Sequence, residues 1–191
     1  MSFFRRVGTF FLDLIETVVI ALAIFVIAYL FLFQPHQVRG NSMYPNFHDG
    51  DYLLTDKISY RLSPPKRGDV IVFVAPKNEE YDYIKRIIGL PGETVSLTED
   101  NRVKINNEIL EEPYLPADYK TFGGNFLESG KTIKIPPDEY FVLGDNRNHS
   151  SDSRDWGFVP RKNIIGKAWL RYWPLNQIGL IPAVKSFSQA K

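Results

Sequence analysis

Cysteine is absent from all 191 residues, so disulfides and thiolate-bound metals are excluded and the fold owes nothing to the redox state of its compartment. Charge of one sign is missing too: 23 Lys and Arg stand against 22 Asp and Glu, a net charge of +1. A nucleic-acid binder needs a basic excess to neutralise phosphates, which sets that class of partner aside. The three histidines, His36, His48 and His149, lack metal-ligand spacing, and no glycine-rich motif cradles a nucleotide. No metal and no cofactor are expected. There is no internal repeat and no low-complexity tract. With 44% hydrophobic and 14% aromatic residues the chain is nevertheless too apolar for disorder.

One uncharged run stands out near the start. Residues 17–33 read TVVIALAIFVIAYLFLF. As a helix these 17 residues reach about 26 Å, slightly less than a hydrocarbon core of about 30 Å. The basic start at Arg5 and Arg6 is shared with secretory signals. The apolar core here is longer than theirs, however, and runs into Leu32-Phe33-Gln34-Pro35-His36 without an A-x-A cleavage pattern. A buried helix of a soluble domain would carry a polar stripe, and this run has none. It is read as an uncleaved membrane anchor, in contact with the lipid bilayer. Arg5 and Arg6 on one flank against Arg39 on the other place the N-terminus in the cytoplasm and the rest outside it. Residues 178–184 are interrupted by Gly179 and Pro182, so the anchor is single.

After Phe33 no helical period is sustained. Short β-branched runs at 52–55, 70–74, 83–88, 94–97, 102–105, 132–135, 140–143 and 168–172 are strand candidates. Asp100-Asn101 and Asn106-Asn107 mark tight turns, since Asn and Asp tolerate positive φ. Many short strands without intervening helices predict a mostly β chain: a folded-over antiparallel sheet, barrel-like, behind a single transmembrane helix. The expected division is an anchor at 1–34, a domain at 35–175 and a tail at 176–191. Residues 34–39 read as a short linker, and residues 111–130, rich in Pro and Gly, as an excursion from the sheet.

Four clusters carry chemistry. Gly40-Asn41-Ser42-Met43-Tyr44-Pro45 puts a serine on a turn, alone no more than a loop serine. Arg67-Gly68-Asp69 runs directly into an apolar strand and reads as its entry turn rather than an adhesion signal. In Tyr83-Ile84-Lys85-Arg86-Ile87-Ile88-Gly89-Leu90-Pro91-Gly92, strand alternation sets Tyr83, Lys85 and Ile87 on one face and Arg86 on the other. Apolar burial there disfavours the Lys85 ammonium; a fall of about two units from about 10.4 yields a usable general base. Taken alone, a lysine snorkelling its head into water is the commoner outcome. The polar stretch from Gly144 to Gly157 marks a heavily hydrogen-bonded loop, with Asp145–Arg147 and Asp152–Arg154 as the expected ion pairs.

As an ordered set the four clusters resemble the type I signal peptidases, the bacterial membrane-bound leader peptidases, which carry G-x-S-M-x-P, R-G-D, Y-I-K-R-I-x-G-L-P-G and G-D-N-R-x-x-S-x-D-S-R in that order. The resemblance spans residue 34 to about residue 174. It implies Ser42 as nucleophile and Lys85 as general base, the Ser-Lys variant of nucleophilic catalysis. It implies a lysine-bonding serine at Ser150, an ordering carboxylate at Asp152, and Asp145 and Arg154 as loop braces. The Ser42 backbone N–H would meet the oxyanion. Some members add a hydroxyl where this chain has Gly40, which has none to give. Shallow pockets around Val38, Gly40, Met43, Tyr83 and Ile84 would admit small residues at the cut and two positions before it. The implied substrates are signal peptides of exported preproteins, laid along the edge of strand 83–88.

Independently of any family, nine residues separate Phe33 from Ser42, a reach of at most about 32 Å, so Ser42 works close to the bilayer. Self-cleaving repressors of the DNA-damage response share a Ser-Lys pair but lack the anchor, and endoplasmic-reticulum relatives carry His in place of Lys85. A mitochondrial inner-membrane protease subunit stays open, as does a His149-based triad. The alternative of another class is a non-enzymatic anchored β domain that binds extracytoplasmic peptides.

Overall fold

The computed structural model describes residues 3–76 and 80–184. A 29-residue helix, α1 (Phe3–Phe31), leads directly into strand β1 (Phe33–Gln37). Its apolar segment Val7–Tyr29 is long enough to cross a membrane, and none of it is buried inside the protein. The span therefore begins some ten residues earlier than the uncharged run suggests and includes Asp13 and Glu16. The expected linker at 34–39 is largely a strand instead: β1 pairs antiparallel with β2 (Tyr52–Asp56), and the Lys57 amide donates to the Leu32 carbonyl. Pro35 is tolerated because β1 lies at a sheet edge.

Chain order continues through α2 (Ser59–Leu62), β3 (Val70–Val74), β4 (Asp82–Gly89), β5 (Thr94–Leu97), β6 (Val103–Ile105), β7 (Glu108–Ile109), β8 (Ile133–Lys134) and β9 (Glu139–Leu143). It ends with α3 (Ser153–Trp156), β10 (Val159–Pro160), β11 (Ile164–Trp173) and β12 (Gly179–Leu180). The main sheet has the order β1-β2-β11-β3-β4-β9-β10, with β12 on β11; a four-stranded sheet has the order β7-β6-β5-β8. Every pairing is antiparallel. This is the folded-over β domain expected from the strand pattern.

Strand β11 is twice the length expected from 168–172. Gly166 hides its start: it breaks the β-branched run, yet a side chain there would run into the Asp56 backbone. The β1, β7, β10 and β12 strands also escape the pattern. The last three are two residues long, too short for alternation to show. The tail expected from residue 176 is partly structured, since β12 adds to β11 and Ile181 donates to the Trp169 carbonyl; residues 185–191 lie outside the described residues.

Two apolar clusters hold β4 from both faces. Ile88, Phe141 and Leu143 pack with Val95, Leu97, Ile105 and Ile135 of the small sheet and its flanks, while Ile87 packs with Ile71, Phe73 and Val142. A third cluster, Val38, Met43, Phe47, Leu53, Val70 and Ala168, sits under the turn that bears Ser42. Each such side chain contributes about 1.5–3 kcal/mol by burial, enough to make the turn and β4 a rigid pair of supports.

Candidate active site

Ser42 sits on a turn clamped on both sides of the chain. Met43 and Phe47 are buried below it, and Asn146 reaches over from the Gly144 loop, its amide donating to the Ser42 carbonyl at 3.0 Å and its side chain to the Asn41 carbonyl at 3.0 Å. Gly40, at φ +81°, lets the chain enter that turn and donates its N–H to Asp49.

Lys85 lies on β4, 4% exposed, with Nζ 2.8 Å from Ser42 Oγ and 2.9 Å from the Ile84 carbonyl. Its ammonium stands 5.5 Å from the centre of the Tyr83 ring, on the same face of the strand, as alternation requires. Burial drives its pKa down to about 8, against the opposing pull of the Asp152 and Asp145 carboxylates. A hydroxyl and a weakly basic amine thus meet at hydrogen-bonding distance.

The neighbouring residue points the other way. Arg86 is buried and holds Asp145 with two bonds, Nε to Oδ1 at 2.8 Å and Nη2 to Oδ2 at 2.6 Å, while Nη1 reaches the Gly68 carbonyl. The expected Asp145–Arg147 pair is corrected by this contact. Arg147 turns instead to Glu112 and Thr121 of the 111–130 excursion, which thereby becomes a buttress of the loop that follows Gly144. Asn46 completes the brace, donating to Asp145 and to the Tyr114 carbonyl, and the Arg86 guanidinium stacks 4.1 Å from the Tyr114 ring. Asp152 and Arg154 do pair, at 2.8 Å, and Asp152 also caps α3 and accepts from the Gly144 amide.

Ser150 departs from expectation. Its buried hydroxyl has no hydrogen-bond partner, and Lys85 bonds Ser42 and Ile84 in its place. It packs against Gly144, where a Cβ would overlap both the Ser150 hydroxyl and the Ser42 carbonyl. His149 is exposed, and no hydrogen bond joins its ring to Ser42 among the described residues. The Arg-Gly-Asp turn is structural: Arg67 pairs with Glu93, and buried Asp69 accepts from Tyr60, Lys66 and Lys167.

A cleft of about 330 Å3 opens onto Ser42 and Lys85, lined also by His36, Gln37, Val38, Arg39, Leu53, Val72, Tyr81, Asp82, Tyr83, Ile84 and Ser151. Val38, Tyr83 and Ile84 are among these lining residues. Met43 is not, because its side chain is fully buried in the cluster beneath, and Gly40 is not among the lining residues either. His36, Asp82 and Ser151 were not foreseen; only the strand pairing of residues 33–37 would have turned His36 toward the cleft. A larger cavity of about 460 Å3, bounded by Asn46, Phe47, Tyr114, Arg171 and residues 179–184, contains neither Ser42 nor Lys85.

The family model described as "Signal peptidase, peptidase S26" matches residues 11–173. The chain belongs to this family. It is 45% identical over 158 residues to a signal peptidase I of Leptolyngbya laminosa, covering 78% of this chain and 73% of that protein. It is 44% identical over 156 residues to one of Bacillus caldolyticus, covering 78% and 84%. A solved signal peptidase I of Enterococcus faecalis aligns with a TM-score of 0.46 at 35% identity, covering 55% of this chain and 97% of that one. The chain is thus an S26 serine peptidase, a signal peptidase I that cleaves signal peptides from exported preproteins.

Proposed function

We propose that Ser42 and Lys85 carry this reaction, on a domain held outside the cytoplasm by α1. In its neutral form the Lys85 amine takes the Ser42 hydroxyl proton as Oγ attacks the scissile carbonyl. The resulting ammonium then gives a proton to the departing amine. A serine hydroxyl is a weak nucleophile without such a partner, whereas an ordinary lysine is too fully protonated near neutrality to serve. The observation that carries the reading is the 2.8 Å contact between a nine-tenths buried lysine, with its pKa near 8, and a serine at the mouth of a cleft.

The tetrahedral oxyanion is assigned to the Ser42 N–H, which no hydrogen bond among the described residues occupies. The substrate is assigned to the cleft in extended form. The β9 ladder on β4 stops at Arg86, so residues 82–85 have no strand on that side among the described residues. Edge strand β1 forms the facing wall, which leaves two free edges between which a peptide strand fits. The leader side of the peptide runs from Lys85 toward Asp82, presenting its small side chains to Val38, Tyr83 and Ile84.

Detergent-solubilised enzyme incubated with a preprotein tests this. Cleavage after a small residue by the wild type, lost in both Ser42→Ala and Lys85→Ala, is the expected result. Cleavage retained by either variant overturns the dyad. Because the chain has no cysteine, single cysteines placed at residue 2 or in the β domain report orientation by labelling in intact cells. Only the domain probe is expected to react with an impermeant reagent.

A further inference from the structure

One pair of polar side chains in the cleft is not used by the chemistry above. His36 of β1 and Asp82 of β4 meet across it, Nε2 to Oδ2 at 3.3 Å, so they link the two strands that form the opposite walls. The contact is close but misaligned. His36 Nε2 is buried without a hydrogen-bond partner, although Nδ1 on the other side of the ring is engaged with Thr55 Oγ1 at 2.9 Å. Among the described residues the ion-pair partner of Asp82 is that same imidazole. Burial pulls the His36 pKa below its ordinary value, despite the raising effect of Asp82, so the ring is neutral where Lys85 is active and does not cancel the carboxylate. The charge of Lys57 also disfavours the imidazolium, and Arg39 and Lys85 line the same cleft.

The unbonded, buried Nε2 of half-buried His36 and the exposed Asp82 carboxylate stand together on the cleft lining, a polar pair that a substrate side chain can complete. Asp82 lies three residues from Lys85 along β4, about 10 Å at 3.3 Å per residue. A peptide strand laid along this edge therefore brings a side chain over the pair beyond its two small residues. We propose that His36 and Asp82 form a polar subsite that selects a donor-bearing side chain, cationic ones most strongly, four or five residues before the scissile bond. This rests on the proteolytic reading of the cleft, and on the substrate direction proposed above.

Preprotein-derived peptides carrying Lys, Ala or Glu at each of the third to sixth positions before the cut, assayed one at a time for kcat/KM, test it. At one position the wild type is expected to prefer Lys over Glu about tenfold, the equivalent of one well-placed charge contact. Asp82→Asn brings that ratio to near one, and Asp82→Lys inverts it in favour of Glu. The ratio is taken within each variant, so a change in overall rate cancels. A Lys-to-Glu ratio near one at every position in the wild type, or an unchanged preference in both variants, overturns the subsite and leaves the dyad standing. Failure to cleave any peptide sinks the proteolytic reading and the subsite with it.

Discussion

Raising or lowering pH is the cleanest perturbation of a lysine base, and the structure gives the size of the response. With Lys85 near pKa 8, the neutral fraction is about 1% at pH 6, about 9% at pH 7, half at pH 8 and about 91% at pH 9. The acid limb of kcat/KM should therefore rise with unit slope and gain about ninety-fold between pH 6 and pH 9. Single-turnover cleavage of a preprotein in detergent at constant ionic strength measures it. A limb that bends near pH 10 means an ordinary solvated lysine, and a rate that is flat from pH 6 to 9 means another base; either refutes the reasoning.

The same shift has a thermodynamic counterpart. The folded pKa lies about 2.5 units below the ordinary 10.5, so the folded state binds the proton more weakly than the unfolded one. The penalty is fully present below pH 8, at about 3 kcal/mol, and fades as pH rises toward 10.5. Lys85→Met, inactive, should accordingly be more stable than wild type at pH 7, with the gap shrinking below about 1 kcal/mol by pH 10. Denaturant unfolding at the two pH values checks this, and a pH-independent gap contradicts it.

Gly144→Ala should fold but lose about a hundredfold in rate, because a Cβ there displaces the Ser42 carbonyl and with it the nucleophile; near-normal cleavage would refute the crowding. Asp145→Ala strands the buried Arg86 guanidinium and should cost about 3–5 kcal/mol in denaturant unfolding, while moving the acid limb to lower pH as one carboxylate that favours the ammonium is lost. A substrate whose residue at the cut is Val in place of Ala should be cleaved at least tenfold more slowly, measured by competition in one reaction, if the walls at Val38 and Ile84 are as tight as the cleft suggests.

What the sequence disclosed was whatever depends on short range. The period-2 pattern of β4 predicted that Lys85 and Tyr83 share a face while Arg86 takes the other, and both hold. The Asp152–Arg154 pair, two residues apart, was equally legible. Long-range choices were not. Asp145 had Arg147 two residues away, but that arginine is claimed by Glu112, and Asp145 goes to Arg86, 59 positions upstream. Nothing local ranks those partners, because the outcome depends on which strands become neighbours. Met43 illustrates the same limit: an apolar residue beside the nucleophile is equally suited to a groove wall or to the core under it, and packing against Phe47 and Leu53 decided for the core. Ser150 was assigned by likeness alone, and the hydrogen bond that likeness implies is absent.

The arrangement also resolves an electrostatic difficulty. Asp145 and Asp152 both favour the Lys85 ammonium, and two unshielded carboxylates near a buried amine would keep it protonated and useless as a base. Each is instead bound by its own guanidinium, Asp145 by Arg86 and Asp152 by Arg154, and each accepts further hydrogen bonds, from Asn46 and from the Gly144 amide respectively. Their charge is largely spent on those partners, so desolvation outweighs attraction at Nζ. The arginine that follows Lys85 in sequence is thus part of how Lys85 becomes basic at the right pH: alternation sends it to the far face of the strand, where it neutralises an acid rather than repelling the amine. The excursion at 111–130 serves the same end one step further out, since Glu112 draws off Arg147 and the Tyr114 ring holds the Arg86 guanidinium flat against Asp145.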